Sequence, residues 1–503
     1  MDIVAGLATV LGQPDVLALV ILGAFVGVFA GAIPGLTTAA AIAMLLPLTF
    51  YMTPLASLAF LYVISKAGRY GGSISAILFN TPGTTAAAAT QFEGHPLAKQ
   101  GKAGKALKMA TLASVCGDLG GDMVLIFFAA MIASVTIRMG PPEYFAIYMM
   151  AFVVIGSVVG SSVLKGLVSV LLGILMGMVG LDKITGVGRY DFGIPQLLTG
   201  LNLVPVLIGT LVLSEVFLQL EKHARAETSE PLMPPSGDPG DQNLTREDLR
   251  YAFPVILRST GIGAIIGLLP GLGSAVACFI AYGEEKRRAK RPHLWGRGAP
   301  EGIAAPEAAN NAVSGPSMVP VLTLGIPGST IAAMLMGVFL IHGIQVGPTI
   351  FIQSKDLIYS LFAAGLIGIL TYGVIGWFAG PLIGRVIGAV PQRLIYPTIF
   401  ILTLVATYSL RNELFDLYVT LAFGVIGYFL RRGGFSAPAF IIAFVLSVGA
   451  EQTLRQTLLM SNDGWAIFAE RPAAMFFLVL GFAVLIWRSV QGLRQQNAAT
   501  SSA

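Results

Sequence analysis

Four Pro-Gly pairs interrupt apolar runs of this chain, in the stretches "GAIPGL", "FNTPGT", "LLPGLG" and "GIPGST". Proline removes a backbone donor, so such a pair inside a membrane ends a helix and frees peptide groups that lipid cannot satisfy. Amides that begin the next half-helix suit an anion, and carbonyls that end the preceding half-helix suit a small cation. The residues that we expect to bind an anionic substrate are Asn80, Thr81, Pro82, Gly83, Thr84, Thr85, Gly325, Pro327, Gly328, Ser329 and Thr330, with the amides Asn310 and Asn311.

A second set of residues has the chemistry to couple an ion. Two carboxylates lie one helical turn apart in "CGDLGGDM", and carboxylates within apolar runs are functional candidates by default. The helix breaks in "GAIPGL" and "LLPGLG" add free backbone carbonyls that suit a cation. The hydroxyl residues that follow all four breaks are candidate N-caps of the next helix. The ion-coupling candidates are Pro34, Gly35, Thr37, Thr38, Pro270, Gly271, Gly273, Ser274, Asp118 and Asp122.

Simpler interpretations stand beside these. The G-x-x-x-G spacings at Gly27 and Gly31, and at Gly263 and Gly267, are typical of close helix packing. Glu307 is either a coupling carboxylate or a helix cap at the membrane interface. Lys66 and Arg69 either attract an anion or mark the cytoplasmic edge, and we favour the edge. The asparagines serve equally well to join helices. The histidines are His95, His223, His293 and His342; they lack metal-ligand spacing, so we expect no metal site and no cofactor beyond a coupling sodium ion or proton.

Composition places these residues in a membrane. The chain has 503 residues, of which 55% are hydrophobic and 11% charged, whereas an ordinary soluble domain carries about 25% charge. Many apolar runs approach the roughly 20 residues that span a bilayer core. We therefore predict an all-α polytopic membrane protein with about 12 transmembrane segments. The net charge of +5 comes from basic residues in loops, so it indicates topology rather than nucleic-acid binding.

An internal repeat organises the predicted segments. "GVFAGAIPGLTT" aligns with "GAIIGLLPGLGS" at an offset of 236 residues, and the second Pro-Gly pairs lie 245 residues apart. The predicted domains are a first membrane repeat at 1–220, a cytoplasmic linker at 221–250, a second membrane repeat at 251–490 and a polar cytoplasmic tail at 491–503. Within the first repeat, we predict separate segments at 55–66 and 71–92.

Charge indicates that the repeats are inverted. A basic cluster from Lys99 to Lys108 follows the hairpin-like segment of the first repeat, whereas the cluster from Lys286 to Arg291 precedes that of the second. If basic loops are cytoplasmic, the two hairpins enter from opposite sides as re-entrant segments. The same rule predicts a periplasmic N-terminus and a cytoplasmic C-terminus.

Several long motifs resemble the TctA family, the large membrane subunit of tripartite tricarboxylate transporters. They are "YGGSISAILFNTPGT", "GLDKITGVGRYDFGIPQLLTGLNLVPVLIG", "IGLLPGLGSAVACFIAYGEEKR", "PEAANNAVSGPSMVPVLTLGIPGST" and "IHGIQVGP". The resemblance implies a subunit of the bacterial inner membrane that works with a small membrane subunit and a periplasmic solute-binding protein. It also implies import of citrate and related carboxylates on a cation or proton gradient. One departure lies in the "GLD" motif, where Lys183 and Gly188 replace a hydrophobic residue and a proline.

The residues themselves predict transport rather than catalysis. No nucleotide-binding loop or nucleophile motif stands in a credible strand-helix context. We therefore predict an ion-driven carboxylate importer, with a passive anion channel and an intramembrane aspartyl protease as the alternatives.

Overall fold

The computed structural model describes residues 2–158, 162–182, 185–224, 238–389, 392–461 and 464–501. Lys183 lies outside these residues, as do residues 225–237 of the predicted linker. The helices before the linker are α1 (Asp2–Gly12), α2 (Pro14–Ala32), α3 (Thr38–Leu45), α4 (Pro54–Phe79), α5 (Ala87–Lys99), α6 (Ala103–Thr136), α7 (Pro141–Val158), α8 (Val163–Gly177), α9 (Leu203–Ile208) and α10 (Ser214–Ala224).

Twelve further helices follow in the described part of the chain. They are α11 (Arg246–Leu268), α12 (Gly273–Arg287), α13 (Pro300–Ala312), α14 (Met318–Leu324), α15 (Thr330–Ile341), α16 (Ile350–Gln353), α17 (Lys355–Ala389), α18 (Gln392–Arg411), α19 (Leu414–Arg432), α20 (Ala437–Met460), α21 (Ile467–Glu470) and α22 (Pro472–Ser501). A single antiparallel pair of strands, β1 (Gly180–Leu181) and β2 (Gly188–Arg189), is described between α8 and α9.

Nine helical stretches in the described residues are long and apolar enough to cross a membrane: α2, α6, α7, α9 with α10, α11, α17, α19, α20 and α22. Their outer faces carry large apolar side chains, such as Phe127 and Phe378, which are 70% and 79% exposed. Apolar surface of this extent is unfavourable in water and suits lipid. The prediction of an all-α polytopic membrane protein is confirmed.

Helix α4 lies at the centre of the molecule. Every residue from Ala56 to Phe79 is buried, because α2, α5, α6, α13 and α17 all pack against this helix. The predicted separation into segments at 55–66 and 71–92 is wrong, since one continuous helix covers Pro54 to Phe79. The interpretation of Lys66 and Arg69 as markers of the cytoplasmic edge is wrong, since Lys66 is fully buried in the protein and Arg69 is only 7% exposed.

Helix α11 begins inside the predicted linker. Thr245 and Asp248 form a reciprocal capping box, in which the Thr245 hydroxyl accepts from the Asp248 amide and the Asp248 carboxylate accepts from the Thr245 amide. This arrangement satisfies two backbone donors at the helix start. Acidic residues in the first turn also complement the positive end of the helix dipole.

Candidate functional site

The first Pro-Gly pair of each half ends a long helix at the predicted place. Helix α2 ends at Ala32 and α11 ends at Leu268, two residues before the proline in both cases. The following glycines, Gly35 and Gly271, have φ of +83° and +86°. Because this left-handed conformation is cheap only for glycine, the pair fixes the same turn in both halves.

The second pair breaks the chain in the same manner in each half. Asn80 follows α4 with φ +54°, and Gly325 follows α14 with φ +68°, so both positions are left-handed. Each lies two residues before its proline. Asn80 is further held by Gln91, whose amide donates to the Asn80 side-chain oxygen at 2.5 Å. Asparagine tolerates the left-handed region better than most residues, which explains its use here.

Two of the predicted hydroxyl caps are confirmed. The Thr37 hydroxyl accepts from the Ala40 amide at 3.1 Å, and the Ser329 hydroxyl accepts from the Ala332 amide at 3.2 Å. Thr84 accepts from the amide of Ala87, the first residue of α5, at 3.2 Å, but the N-cap of that helix is Ala86. Ser274 does not cap α12, because that helix begins one residue earlier, at Gly273.

The remaining residues of the second breaks differ in exposure. Pro327 and Gly328 are buried, whereas Thr330 and Pro82 are half-buried and Thr85 is exposed. The Thr81 hydroxyl donates to the Phe79 carbonyl at 3.1 Å and therefore serves the end of α4.

The two breaks of each half lie against each other. In the second half, the Gly271 amide donates to the Gly328 carbonyl at 2.9 Å. In the first half, a Cβ atom at Gly83 would lie 2.2 Å from the Gly31 carbonyl oxygen, so only glycine fits there. No hydrogen bond between described residues joins a break of the first half to a break of the second. The geometry thus brings the candidate residues together within each half.

A buried ionic cluster joins α4 to α6 beside these breaks. The Lys66 ammonium donates to Asp118 Oδ1 and to Asp122 Oδ1, both at 2.7 Å. Tyr62 donates to Asp122, and Tyr372 of α17 donates to Asp118, each at 3.2 Å. All three ionic side chains are at most 1% exposed. The two candidate aspartates are therefore held by a lysine inside the protein, not by one at the membrane edge.

Glu307 is a further buried carboxylate that contacts α4. Three hydroxyls donate to it: Ser73 of α4 at 2.5 Å, Thr90 of α5, and Ser114 of α6 at 2.9 Å. Its side chain is fully buried, so its interpretation as a cap at the membrane interface is wrong. Hydroxyl donors on three helices stabilise a carboxylate without neutralising it.

The predicted amides lie on the same helix as Glu307. The Asn311 side chain donates to the Glu307 carbonyl at 3.1 Å. Arg69 of α4 donates through Nη1 to the Asn310 carbonyl at 3.4 Å. Both side-chain polar atoms of Asn310 are buried without a hydrogen-bond partner, as are Nε of Arg69 and Oγ1 of Thr38.

Sequence reasoning missed the polar face of α4. Tyr62, Lys66, Arg69 and Ser73 follow one another at spacings of four, three and four residues. This spacing places all four side chains on one face of a helix. A polar stripe within an otherwise apolar helix points inward, because lipid excludes it. That periodicity is the signal by which the sequence identifies α4 as a helix buried among other helices.

Interrupted helices around a buried ionic core define the class: a multi-pass membrane protein whose polar groups are enclosed by protein. Residues 17–442 match the family model described as "Tripartite tricarboxylate transporter TctA family". The chain belongs to this transporter family, which confirms the resemblance seen in its motifs.

Two proteins of Agrobacterium vitis are similar to the chain. One, described as a 52.8 kDa protein in the TAR-I ttuC' 3' region, is 34% identical over 479 residues, which cover 94% of this chain and 93% of the relative. The other, from the TAR-II ttuC' 3' region, is 34% identical over 237 residues, which cover 47% of this chain and 97% of the relative.

Proposed function

We propose that this chain is the large permease subunit of a tripartite importer of tricarboxylates or related small carboxylates in the bacterial inner membrane. Import is driven by an ion gradient and depends on a periplasmic solute-binding protein and a small membrane subunit. The observation that carries the proposal is the paired helix breaks in each half, seen in the hydrogen bond between Gly271 and Gly328. Exposed helix ends at such breaks bind anionic groups and small cations in secondary transporters.

We infer that the two membrane repeats, at 1–220 and 251–490, are inverted copies with re-entrant hairpins. Matching contacts support the repeat. A Cβ atom at Gly27 would lie 2.8 Å from the Ile64 carbonyl oxygen, and one at Gly263 would lie 2.4 Å from that of Ala309. Gly27 and Gly263 are 236 positions apart, and Ile64 and Ala309 are 245 apart, which are the offsets of the Pro-Gly pairs. These glycines also serve close packing, as their spacing indicated.

Loop contacts support the proposed orientation. The Lys105 ammonium binds the Asp248 carboxylate at 3.0 Å, and the Gln100 amide donates to the Arg297 carbonyl at 2.6 Å. The basic stretch at 99–108, the end of the linker and the stretch at 284–298 therefore lie on one face. Basic loops favour the cytoplasm, so the N-terminus is periplasmic and the C-terminus cytoplasmic in this proposal.

Unequal buried charge supports coupling to a sodium ion or a proton. The core holds the carboxylates of Asp118, Asp122 and Glu307 against the cations of Lys66 and Arg69. An entering carboxylate adds negative charge to a dry interior, which is costly without an accompanying cation. Glu307 makes no ion pair among the described residues, so it is the group that we assign to this cation.

The proposal is tested first by identifying the substrate. The cognate solute-binding protein is screened against organic acids by thermal shift, and the acid that raises its melting temperature is then radiolabelled. Vesicles that contain this chain, the small membrane subunit and the binding protein should take up that acid. Omitting any one component should reduce uptake to the level of empty vesicles. Equal uptake without the binding protein would contradict the proposed tripartite mechanism.

A further inference from the structure

Arg69 is a buried cation that has no direct ion pair among the described residues. It lies in the middle of α4, is 7% exposed, and forms no ion pair within the described part of the chain. Its Nε has no hydrogen-bond partner, and its Nη1 makes one long contact, 3.4 Å from the Asn310 carbonyl. An unpaired charge in a protein interior costs several kcal/mol, so folds keep one only where a partner is supplied.

The buried carboxylates nearby are mostly engaged by other groups, and only Asp122 Oδ2 among their oxygens lacks a hydrogen-bond partner. Lys66 binds one oxygen of Asp118 and one of Asp122, and Tyr372 donates to the second oxygen of Asp118. Glu307 is bound by hydroxyls of three helices. No described carboxylate forms an ion pair with Arg69, so a carboxylate in direct contact with its guanidinium has to be supplied from outside the described chain.

Two further polar side chains without partners lie at the same turn of α4. Asn310 contributes the carbonyl that Arg69 contacts, and both polar atoms of its side chain are unsatisfied. Thr38 packs directly on Gly68, where a Cβ atom would lie 2.8 Å from Thr38 Oγ1, and this hydroxyl is also unsatisfied. Native interiors leave few such groups unpaired, and a cluster of them marks a missing ligand.

We propose that Arg69, Asn310 and Thr38 bind one carboxylate group of the transported substrate. The planar guanidinium matches a carboxylate with two parallel hydrogen bonds. The Asn310 amide and the Thr38 hydroxyl are further donors, and Thr38 begins α3, whose positive end favours an anion. This inference rests on the proposed transport function and names the residue that recognises its substrate class. In this inference the substrate carboxylate binds where α3, α4 and α13 meet, rather than at the Pro-Gly pairs.

The experiment compares Arg69→Gln and Arg69→Lys with the wild type. The probes are citrate and succinate, together with the acid identified through the binding protein. We expect the wild type in detergent to melt at a higher temperature with the transported acid, and Arg69→Gln to lose this shift. Its KM for uptake should rise about 10-fold to 100-fold, as expected when a hydrogen bond to a charged group is lost. Arg69→Lys keeps the positive charge but cannot donate two parallel hydrogen bonds to a carboxylate, so its KM should lie between those of the wild type and Arg69→Gln.

The melting temperatures of the ligand-free proteins distinguish a substrate-binding arginine from a structural one. Because Arg69→Gln removes a buried charge that has no direct ion pair to lose, ligand-free Arg69→Gln should melt at or above the wild-type temperature. Arg258→Gln is the matched control, since Arg258 binds the Glu285 carboxylate at 2.5 Å. This control should leave the KM unchanged.

Two results would overturn the inference while leaving the proposed function intact. One is a wild-type KM and ligand shift in Arg69→Gln. The other is a ligand-free melting temperature that falls below the wild type in both Arg69 variants, which would make Arg69 a structural residue. Wild-type vesicles that take up none of the acids would instead contradict the proposed function, and the inference would fall with it.

Discussion

Lys66 is the residue on which the centre of the molecule depends. One ammonium group holds the two carboxylates of Asp118 and Asp122 on the neighbouring helix, with no exposure to solvent. Removing one member of a buried network leaves the others uncompensated, which costs more than the network contributes.

We predict that Lys66→Met destabilises the protein by about 3 to 5 kcal/mol. Adding Asp118→Asn and Asp122→Asn to Lys66→Met should restore much of the loss, because the uncompensated charges are then gone. Thermal unfolding of the purified variants in detergent measures both effects. Lys102→Met is the control, since Lys102 binds Asp241 at 3.1 Å but is 33% exposed, and such pairs contribute about 0 to 1 kcal/mol. Equal losses in the two lysine variants would contradict a structural role specific to Lys66.

Glu307 gives a prediction for coupling. Glu307→Gln keeps the size of the side chain and an oxygen for the hydroxyl donors, so stability should change by about 1 kcal/mol. Since the amide cannot take up a proton or carry the charge that attracts a cation, accumulation of substrate should fall to its equilibrium level. Uptake under an imposed gradient is the measurement. Glu301→Gln, on the same helix, removes a partner of Arg291 and should leave accumulation intact. Gradient-driven accumulation by Glu307→Gln would rule out the assigned role.

At the residue scale, sequence alone predicted the breaks better than their surroundings. Pro-Gly chemistry is local, so the left-handed turns at Gly35, Asn80 and Gly325 follow from neighbouring residues. The partners of Lys66 lie more than 50 positions away. A lysine before an apolar run looks like an interface residue until the helix that neutralises it is known.

At the scale of elements, close packing of the breaks depends on glycine. In Gly83→Ala, the new methyl group would lie 2.2 Å from the Gly31 carbonyl oxygen. The break would have to move away from α2, so we predict a loss of about 1 to 3 kcal/mol, as in overpacked cores.

The matched control for this change is Gly283→Ala. Gly283 lies in α12, and a Cβ atom there would have nothing within 4 Å. Alanine should therefore stabilise that helix by up to about 1 kcal/mol. Melting temperatures and transport rates of the two variants test the prediction together. A Gly83→Ala protein as stable and active as the wild type would show that the first-half breaks do not need this contact.

The extent of single helices was harder to predict than their existence. The charged residues near the middle of α4 suggested two segments, but burial of its polar face allows one helix from Pro54 to Phe79. In the second half, the corresponding stretch divides into α13 and α14, because "VSGPS" at 313–317 supplies a glycine and a proline. Equivalent sequences thus gave a continuous helix in one half and a divided one in the other.

At the scale of the whole molecule, cysteine labelling tests the proposed orientation in the membrane. In a background of Cys116→Ala and Cys278→Ala, which removes both free cysteines, single cysteines are placed at Phe192 and Lys102. Phe192 is 81% exposed and lies between α8 and α9, a stretch that the proposed orientation puts in the periplasm. Phe192→Cys should therefore react with an impermeant maleimide in intact cells whose outer membrane admits the reagent. Lys102→Cys should react only after the inner membrane is opened. The reverse pattern would invert the topology and remove the support for cytoplasmic basic loops.

Accumulation against a gradient tests the account of the whole molecule most directly. Vesicles with all three components receive the labelled carboxylate at equal concentration on both sides, and a sodium or proton gradient is then imposed. The account predicts that the internal concentration rises above the external one and returns to equality when an ionophore removes the gradient. A carboxylate that crosses the membrane but stays at equal concentration on both sides would contradict ion-coupled transport and identify a passive channel.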